Sequence, residues 1–294
     1  MDQKYVLITP ARNEAAYIEQ TIISVVNQTL RPVKHIIVSD GSTDDTDVIA
    51  KQYASRYDFI DFLRREGDKK ANFKSKVFAF NSGVELLQGI PYTFIGNLDA
   101  DISFGPNYFE NILKKFNEFP KLGIAGGQIW ENRQGTLCMM NNSLNSVAGA
   151  VMFFDRRCFE EIGGYVAMEM GGEDTSAEIK ARAKGWVVQT FLDIKVTHNK
   201  PMLSQSKNHF ESKFKQGMSN YILGYHPLFQ IFICLYRMGE KPFVFGSLSI
   251  FAGFCWAKFK RLKHSVPQEV VSFLRKEQLC RLTALRAIKN SMSH

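Results

Sequence analysis

Along the first two-thirds of the chain, short apolar runs alternate with longer stretches whose apolar positions recur every three or four residues. Residues 5–9 read as a buried strand, and 14–28 as a helix with Ile18, Ile22, Val25 and Val26 along one stripe. The same alternation predicts strands over 33–39, 59–63, 92–98 and 122–129, with helices over 44–57, 76–87 and 106–116, the last started by Pro106. A further helix is expected over 175–184 and a strand over 186–196. This pattern implies an α/β fold whose central sheet is mostly parallel and covered on both faces. In such sheets ligands bind beyond the carboxyl ends of the strands.

That rule directs attention to the residues just after each strand. Pro10-Ala11-Arg12-Asn13-Glu14 comes after the first, Asp40-Gly41-Ser42-Thr43-Asp44 after the second and Asp99-Ala100-Asp101 after the fourth, so three polar loops are expected at one edge. The polar stretch 131–145 reads as a loop over that edge, and Gly163-Gly164-Tyr165 and Gly171-Gly172-Glu173-Asp174 punctuate the segment after it.

Composition narrows the class. With 294 residues, 45% hydrophobic and 22% charged, the chain can bury one large core or two modest ones, which excludes disordered and fibrous proteins. Five scattered cysteines without a Cys-x-x-Cys pair indicate neither a disulfide framework nor a zinc cluster. Met1–Lys4 leads into an apolar run without the features of a secretory signal, so a cytoplasmic location is expected. The charge is unevenly placed: residues 200–294 carry 15 Lys and Arg against 4 Asp and Glu, while 1–199 carry 22 against 25. A basic tail attracts nucleic acid and anionic membranes by the same physics.

The Asp99-Ala100-Asp101 pair is the first candidate for chemistry. Two carboxylates leaving a strand, at a turn for which Gly96 and residues 103–106 provide, suit Mg²⁺ or Mn²⁺, which keeps coordination positions for substrate phosphates. Taken alone, the other loops have ordinary explanations. Residues 10–14 make a helix start, Asp-Gly-Ser-Thr-Asp makes a type I turn with an N-cap, and Glu173-Asp174 makes an acidic first turn.

Together they form an ordered set: Pro10-x-x-Asn13-Glu14, Ser39-Asp40-Gly41-Ser42-x-Asp44, Lys76 with Asn81 and Gly83, Asp99-x-Asp101, Gly163-Gly164-Tyr165 and Glu173-Asp174. Over about residues 4–200 this set resembles the family-2 glycosyltransferases. The resemblance implies the GT-A nucleotide-sugar-binding fold, a divalent metal (Mn²⁺ or Mg²⁺) and inversion at the anomeric carbon. It also implies a nucleotide-binding half over about 1–102 and an acceptor half over about 103–200. Pro10, Arg12, Asn13, Glu14, Asp40, Lys76 and Asp99 would then bind the nucleotide sugar, with Asp40 on the base, although Ser75 replaces the usual glycine before Lys76. Asp101, with Asp99 and His198, would hold the metal; Asp174 would be the general base; Glu173, Gly172 and Trp130 would meet the acceptor. The processive members' Gln-x-x-Arg-Trp stretch is absent, which implies addition of a single sugar, with a UDP-sugar as the default donor.

In residues 201–294 two apolar patches, 227–236 and 242–257, flank a short polar break, and Lys258-Phe259-Lys260-Arg261-Leu262-Lys263 comes next. The second patch falls short of the ~20 residues that span a bilayer. This helical, basic region is expected to be membrane-interfacial, peripheral or monotopic, with a last helix carrying Val271, Leu274, Leu282 and Leu285 on one stripe in the same plane. Packing on the catalytic core or on a second subunit is the competing explanation. A glycan or lipid-linked acceptor in cell-surface polysaccharide assembly suits a membrane location, and no nucleic-acid module accompanies the charge. The alternatives are a nucleotidyltransferase of similar fold, against which the glycine-free 10–14 loop speaks, and a non-catalytic scaffold.

Overall fold

The computed structural model describes residues 3–67, 73–133, 136–140, 143–200, 209–239 and 243–291. The chain divides into two units, one of residues 1–169 with 173–202, the other of 170–172 with 203–294.

In the first unit, β1 (Tyr5–Ala11) is apolar on both faces and sits inside a sheet. Val6 and Ile8 share a core with Val77, Phe80 and Phe154, while Tyr5 and Leu7 face Phe109, Ile112 and Phe153. The chain then runs α1 (Ile18–Val26), β2 (Lys34–Asp40), α2 (Thr46–Arg56), β3 (Ile60–Arg65), α3 (Phe73–Glu85) and β4 (Phe94–Asn97). It continues through β5 (Ile102–Phe104), α4 (Tyr108–Glu118), β6 (Leu122–Arg133), β7 (Thr136–Met139), β8 (Phe153–Asp155), α5 (Arg156–Glu161), α6 (Glu173–Ala183) and β9 (Val187–His198). Among the described residues the sheet has nine strands in the order β3-β2-β1-β4-β8-β6-β9-β5, with β7 on β6. Strand order reverses at β1, whose neighbours are β2 and β4, and this opens a crevice at their carboxyl ends.

The expectation of a mostly parallel sheet holds only for β1 to β4. Beyond β4 the sheet is mixed: β8 runs antiparallel to β4 and β6, and β5 antiparallel to β9, while β6 and β9 are parallel. β5 and β8, with three residues each, are too short for a periodicity to emerge. Residues 131–145 are not one loop either, because β6 continues to Arg133 and turns back as β7, pairing Trp130 with Met139 and Glu131 with Cys138. Gly96 serves packing rather than a turn: a Cβ there would stand 2.7 Å from Leu7 Cδ2 and 2.9 Å from Phe153 Cδ2.

The second unit holds α7 (His209–Ile222), α8 (Pro227–Tyr236), a 3-10 turn (Arg237–Gly239), α9 (Phe243–Phe259) and α10 (Gln268–Ser291). Helices α7 and α9 pack backbone to backbone, since a Cβ on Gly217 would overlap the Ile250 carbonyl oxygen and one on Gly253 that of Phe214. No described helix is long and apolar enough to cross a membrane. The α10 stripe differs from expectation: Val271 and Leu274 are buried in the unit itself, Val271 against Gly224, so they are not offered to a membrane. The Leu285 side chain lies outside the described residues.

Candidate active site

The loops after β1 and β2 clasp each other. Asn13 takes a left-handed conformation (φ +56°), its N–H donates to Ser42 Oγ (3.2 Å), and its amide oxygen accepts from the Thr43 N–H (2.8 Å). Glu14 N–H donates to Thr46 Oγ1 (2.8 Å) and Ala15 N–H to Asp44 Oδ2 (3.1 Å). Asn13 and Asp44 therefore shape the rim. This leaves Asp40, at the end of β2 and 3% exposed, as the carboxylate that faces the crevice.

Asp40 pairs with Arg65 (2.9 Å) and with Arg12 (3.7 Å). It borders a pocket of 170 Å³ that Arg65, Glu66, Gly67, Ser75 and Phe78 complete. A Cβ on Gly67 would stand 2.5 Å from the Asp40 carbonyl oxygen, so the floor requires glycine. Arg65 is absent from the sequence-based set. The expected third strand stops at residue 63, whereas β3 continues to Arg65.

Lys76, on α3, reaches Asp99 Oδ1 at 2.5 Å. Burial works against its charge, but Asp99, then Glu173 and Asp174, more than offset this, and the ammonium is held above its ordinary range. Lys76, Asn97, Tyr165, Glu173, Asp174 and Gly149 surround a cavity with room for about one water molecule. Asn97 Nδ2 donates to the Gly149 carbonyl (2.7 Å), while its buried Oδ1 has no partner among the described residues. The helix is seated by two further motif residues. Gly83 lets α3 close on Ile8, and Asn81 Nδ2 donates to the Tyr165 carbonyl (3.3 Å).

Asp101 and His198 come together through the β5–β9 pairing, which sets Ile102 opposite His198. Their side chains approach to 3.6 Å (Nε2 to Oδ1), and Asn199 N–H donates to the Asp101 carbonyl (2.8 Å). The Asp101 Oδ1 is buried without a hydrogen bond, and burial, then the Asp99 charge, push this carboxyl upward. His198 Nδ1 donates to the Lys200 carbonyl oxygen (2.6 Å), which orients the ring with Nε2 toward Asp101. Lys200 itself, unforeseen, binds Glu14 (2.6 Å) and so ties the end of β9 to the β1 loop. The third expected metal ligand, Asp99, is engaged by Lys76 instead.

Asp174 opens α6 and accepts from the Thr175 N–H (2.6 Å). A Cβ on Gly149 would lie 2.6 Å from its Oδ2, so the backbone of residues 148–150 stands directly against the carboxylate. On that side a cavity of 340 Å³ is bordered by Asp174, His198, Ile129, Met140, Ser143 and Gly149, among others. Glu178, one turn along α6, secures the same wall by accepting from the Val147 N–H (2.6 Å) and the Ser146 hydroxyl (2.9 Å). Glu173 faces the Lys76 cavity instead, and burial, then Asp174, raise its carboxyl. Trp130 follows Ile129 on β6 but is not among the residues that border the larger cavity; its ring lies under Lys195 (4.9 Å). Gly172 (φ +99°) belongs to the second unit, where the neighbouring Gly171 carbonyl accepts from Ser219 Oγ (3.1 Å).

An acidic crevice lies at a strand-order reversal, with an Asp-x-Asp whose second carboxyl is buried and a second acidic pair on a helix start. The sequence profile of glycosyl transferase family 2 matches residues 6–167. The chain belongs to that family. It is 24% identical over 196 residues to the poly-beta-1,6-N-acetyl-D-glucosamine synthase of Staphylococcus aureus, covering 60% of this chain and 45% of that protein. It is 28% identical over 130 residues to the glycosyltransferase GlyA of Streptococcus pneumoniae, covering 44% of this chain and 17% of the relative. The chain thus spans less than half the length of either. Two solved structures share its GT-A-type fold. The mannosyltransferase PcManGT of Pyrobaculum calidifontis, in complex with GDP-Man and Mn²⁺, has a TM-score of 0.55 at 16% identity over 97% of this chain and 80% of the other. S. aureus TarS 1–349 with UDP-GlcNAc has a TM-score of 0.55 at 14% identity over 92% and 78%. In the crevice Asp40 pairs with Arg65, Lys76 with Asp99 and Asp101 with His198, while Asp174 borders both the Lys76 cavity and the larger one.

Proposed function

We propose that the chain moves one sugar from a nucleoside diphosphate sugar, by default a UDP-sugar, to a hydroxyl of a glycan or lipid-linked acceptor in cell-surface polysaccharide assembly, inverting the anomeric centre. The observation that carries this reading is the place of Asp174. Its carboxylate borders two cavities, one shared with Lys76 and Asn97 and the other with His198 and Met140. A base between a donor side and an acceptor side can take the proton from an acceptor hydroxyl as that oxygen attacks the anomeric carbon. The diphosphate then departs from the opposite face, which inverts the configuration.

The other residues bind and orient. Asp40, fixed between Arg65 and Arg12, accepts from the base in the 170 Å³ pocket. Lys76, held cationic by its acidic neighbours, approaches the diphosphate or ribose with Asp99. Among the described residues no three His, Cys, Asp or Glu side chains gather as a ready-made metal site, so a divalent cation, Mn²⁺ or Mg²⁺, would draw on two side chains and on the donor's own phosphates. Asp101 has a buried oxygen without a hydrogen bond, and His198 turns its Nε2 toward that oxygen (3.6 Å). Those two would hold the ion, with Asp99 as the nearest further carboxylate. Bound there, it supplies Lewis-acid stabilisation of the charge that develops on the leaving diphosphate. The Mn²⁺ and nucleotide sugars bound by the neighbouring structures support this choice. The reaction is placed on the cytoplasmic face of a membrane, where a lipid-linked acceptor is available.

Thermal melting with UDP, GDP, dTDP, CMP and their sugars, each with and without Mn²⁺, tests the proposal, because a ligand that binds only the native state raises the melting temperature by mass action. A metal-dependent rise with one nucleotide, lost in Asp101→Ala, is expected. No rise with any of them favours a non-catalytic scaffold instead.

A further inference from the structure

Helices in water turn their apolar residues inward, and α8 does the reverse. Leu228, Ile231, Phe232, Leu235 and Tyr236 recur at i, i+3, i+4, i+7 and i+8, and all are exposed, Leu228 by 58%, Leu235 by 61% and Tyr236 by 76%. The buried face carries Gln230 instead, 0% exposed, its amide bound by Asn220 (Nδ2 to Oε1, 2.9 Å) and by Cys234 (Nε2 to Sγ, 3.3 Å). Helix α9 buries Ile250, Phe254 and Ala257 and is apolar on its outer side as well. Gly246, Ser247 and Gly253 are buried, and Gly253 packs on α7, while Phe245, Leu248, Phe251 and Trp256 stand exposed. The exposed side chains therefore fill no space within their own unit.

The charge pattern selects the occupant. Helix α8 contains no charged residue, and α9 contains none before Lys258, from which Lys258, Lys260, Arg261 and Lys263 fall within six positions, all exposed. Lys260 Nζ rests 4.9 Å above the Trp256 ring, and Tyr236 closes α8. Uncharged apolar faces bounded by aromatic rings and by charge of one sign suit a bilayer, whose interface attracts Trp and Tyr and whose anionic headgroups attract lysine and arginine. The 17 residues of α9 cover about 25 Å as a helix, less than the ~30 Å hydrocarbon thickness.

We propose that α8 and α9 form a lipid-embedded face of this chain, inserted into one leaflet of an anionic bilayer without crossing it, with residues 258–263 among the phosphates and α10 packed in the unit's own core. The face offers a lipid-linked acceptor its surface, as the proposed function requires, but it stands on the helices alone.

Sedimentation of the full chain with vesicles tests it, using phosphatidylcholine with or without 30% phosphatidylglycerol. Brominated phosphatidylcholine reads insertion, with Trp256→Phe as the control that isolates the Trp256 signal. Expected are at least tenfold tighter binding to the anionic vesicles, residual binding at high salt, and bromolipid quenching that disappears in Trp256→Phe. The triple variant Leu228→Ser, Leu235→Ser, Phe245→Ser, changed only at exposed positions, is expected to lose at least tenfold in binding while melting as the unaltered chain does. Three results would overturn insertion: no vesicle binding; binding abolished by salt with no quenching, which is surface adsorption; or a homodimer that the triple variant dissociates while vesicle binding is unchanged. Vesicle binding without any nucleotide binding would instead remove the donor reading and leave this one intact.

Discussion

Glu178 is the residue whose replacement gives the most quantitative expectation. It is 4% exposed, and although it accepts from Val147 and Ser146 and lies 3.6 Å from Arg182, burial dominates and pushes its carboxyl up to about 7. In the unfolded chain the group loses its proton near its ordinary 4.5, while the folded protein retains it. Between those two values the native state binds more protons, so stability falls as pH rises from about 4.5 to 7 and is level above. At about 1.4 kcal/mol per unit, the loss amounts to at most about 3 kcal/mol. Glu178→Gln keeps the shape, still accepts from Val147 N–H, can donate to Ser146 Oγ and carries no charge to desolvate. At pH 5 it is expected to melt close to the unaltered chain, and at pH 8 above it, by roughly 2–4 °C per kcal/mol for a unit of this size, or about 5–10 °C. Melting of the catalytic unit from pH 5 to 8 measures this directly. Parallel curves for the two proteins would show that Glu178 does not titrate in that range, and the reasoning would fail.

Three further substitutions probe separate parts of the molecule. Gly149→Ala sets a methyl where Asp174 Oδ2 lies 2.6 Å away and should displace the base, lowering kcat at least tenfold with nucleotide affinity, read by melting shift, unchanged. Gly67→Ala meets the Asp40 carbonyl at 2.5 Å, a backbone atom that cannot swing aside; calorimetry should show at least tenfold weaker nucleotide binding with the fold intact. Gly217→Ala forces α7 off α9 at the Ile250 carbonyl and should destabilise the second unit by about 1–3 kcal/mol, as overpacking does, visible as a lower urea midpoint for that unit.

The parallel half was legible because its strands are buried on both faces, so Tyr5–Ile8 and Ile36–Val38 appear as unbroken apolar runs between amphipathic helices. The later strands lacked that signal. β5 and β8 have three residues each, and β7 is largely exposed with Leu137 and Met139 outward. At the site, the residues beyond β1, β2 and β4 were found by the rule on strand ends, whereas Arg65 was lost with the end of β3. Lys200 and Glu178 belong to no motif, and a sequence does not reveal that one lies against Glu14 and the other under residues 146–147. The tail's composition pointed to lipid, but an apolar stripe does not say what covers it. In α10 Val271 and Leu274 turn inward, while exposed apolar faces belong to α8 and α9.

Transfer of radiolabelled sugar from the nucleoside diphosphate donor into a membrane lipid extract, compared between the unaltered chain and Asp174→Asn, bears most directly on the placement of the base between the two cavities. Incorporation with inverted configuration is expected for the unaltered chain, falling about 10²–10⁴-fold in Asp174→Asn, the usual worth of a positioned base, while both proteins bind the donor equally. Equal transfer by the two proteins, or a product of retained configuration, would contradict it.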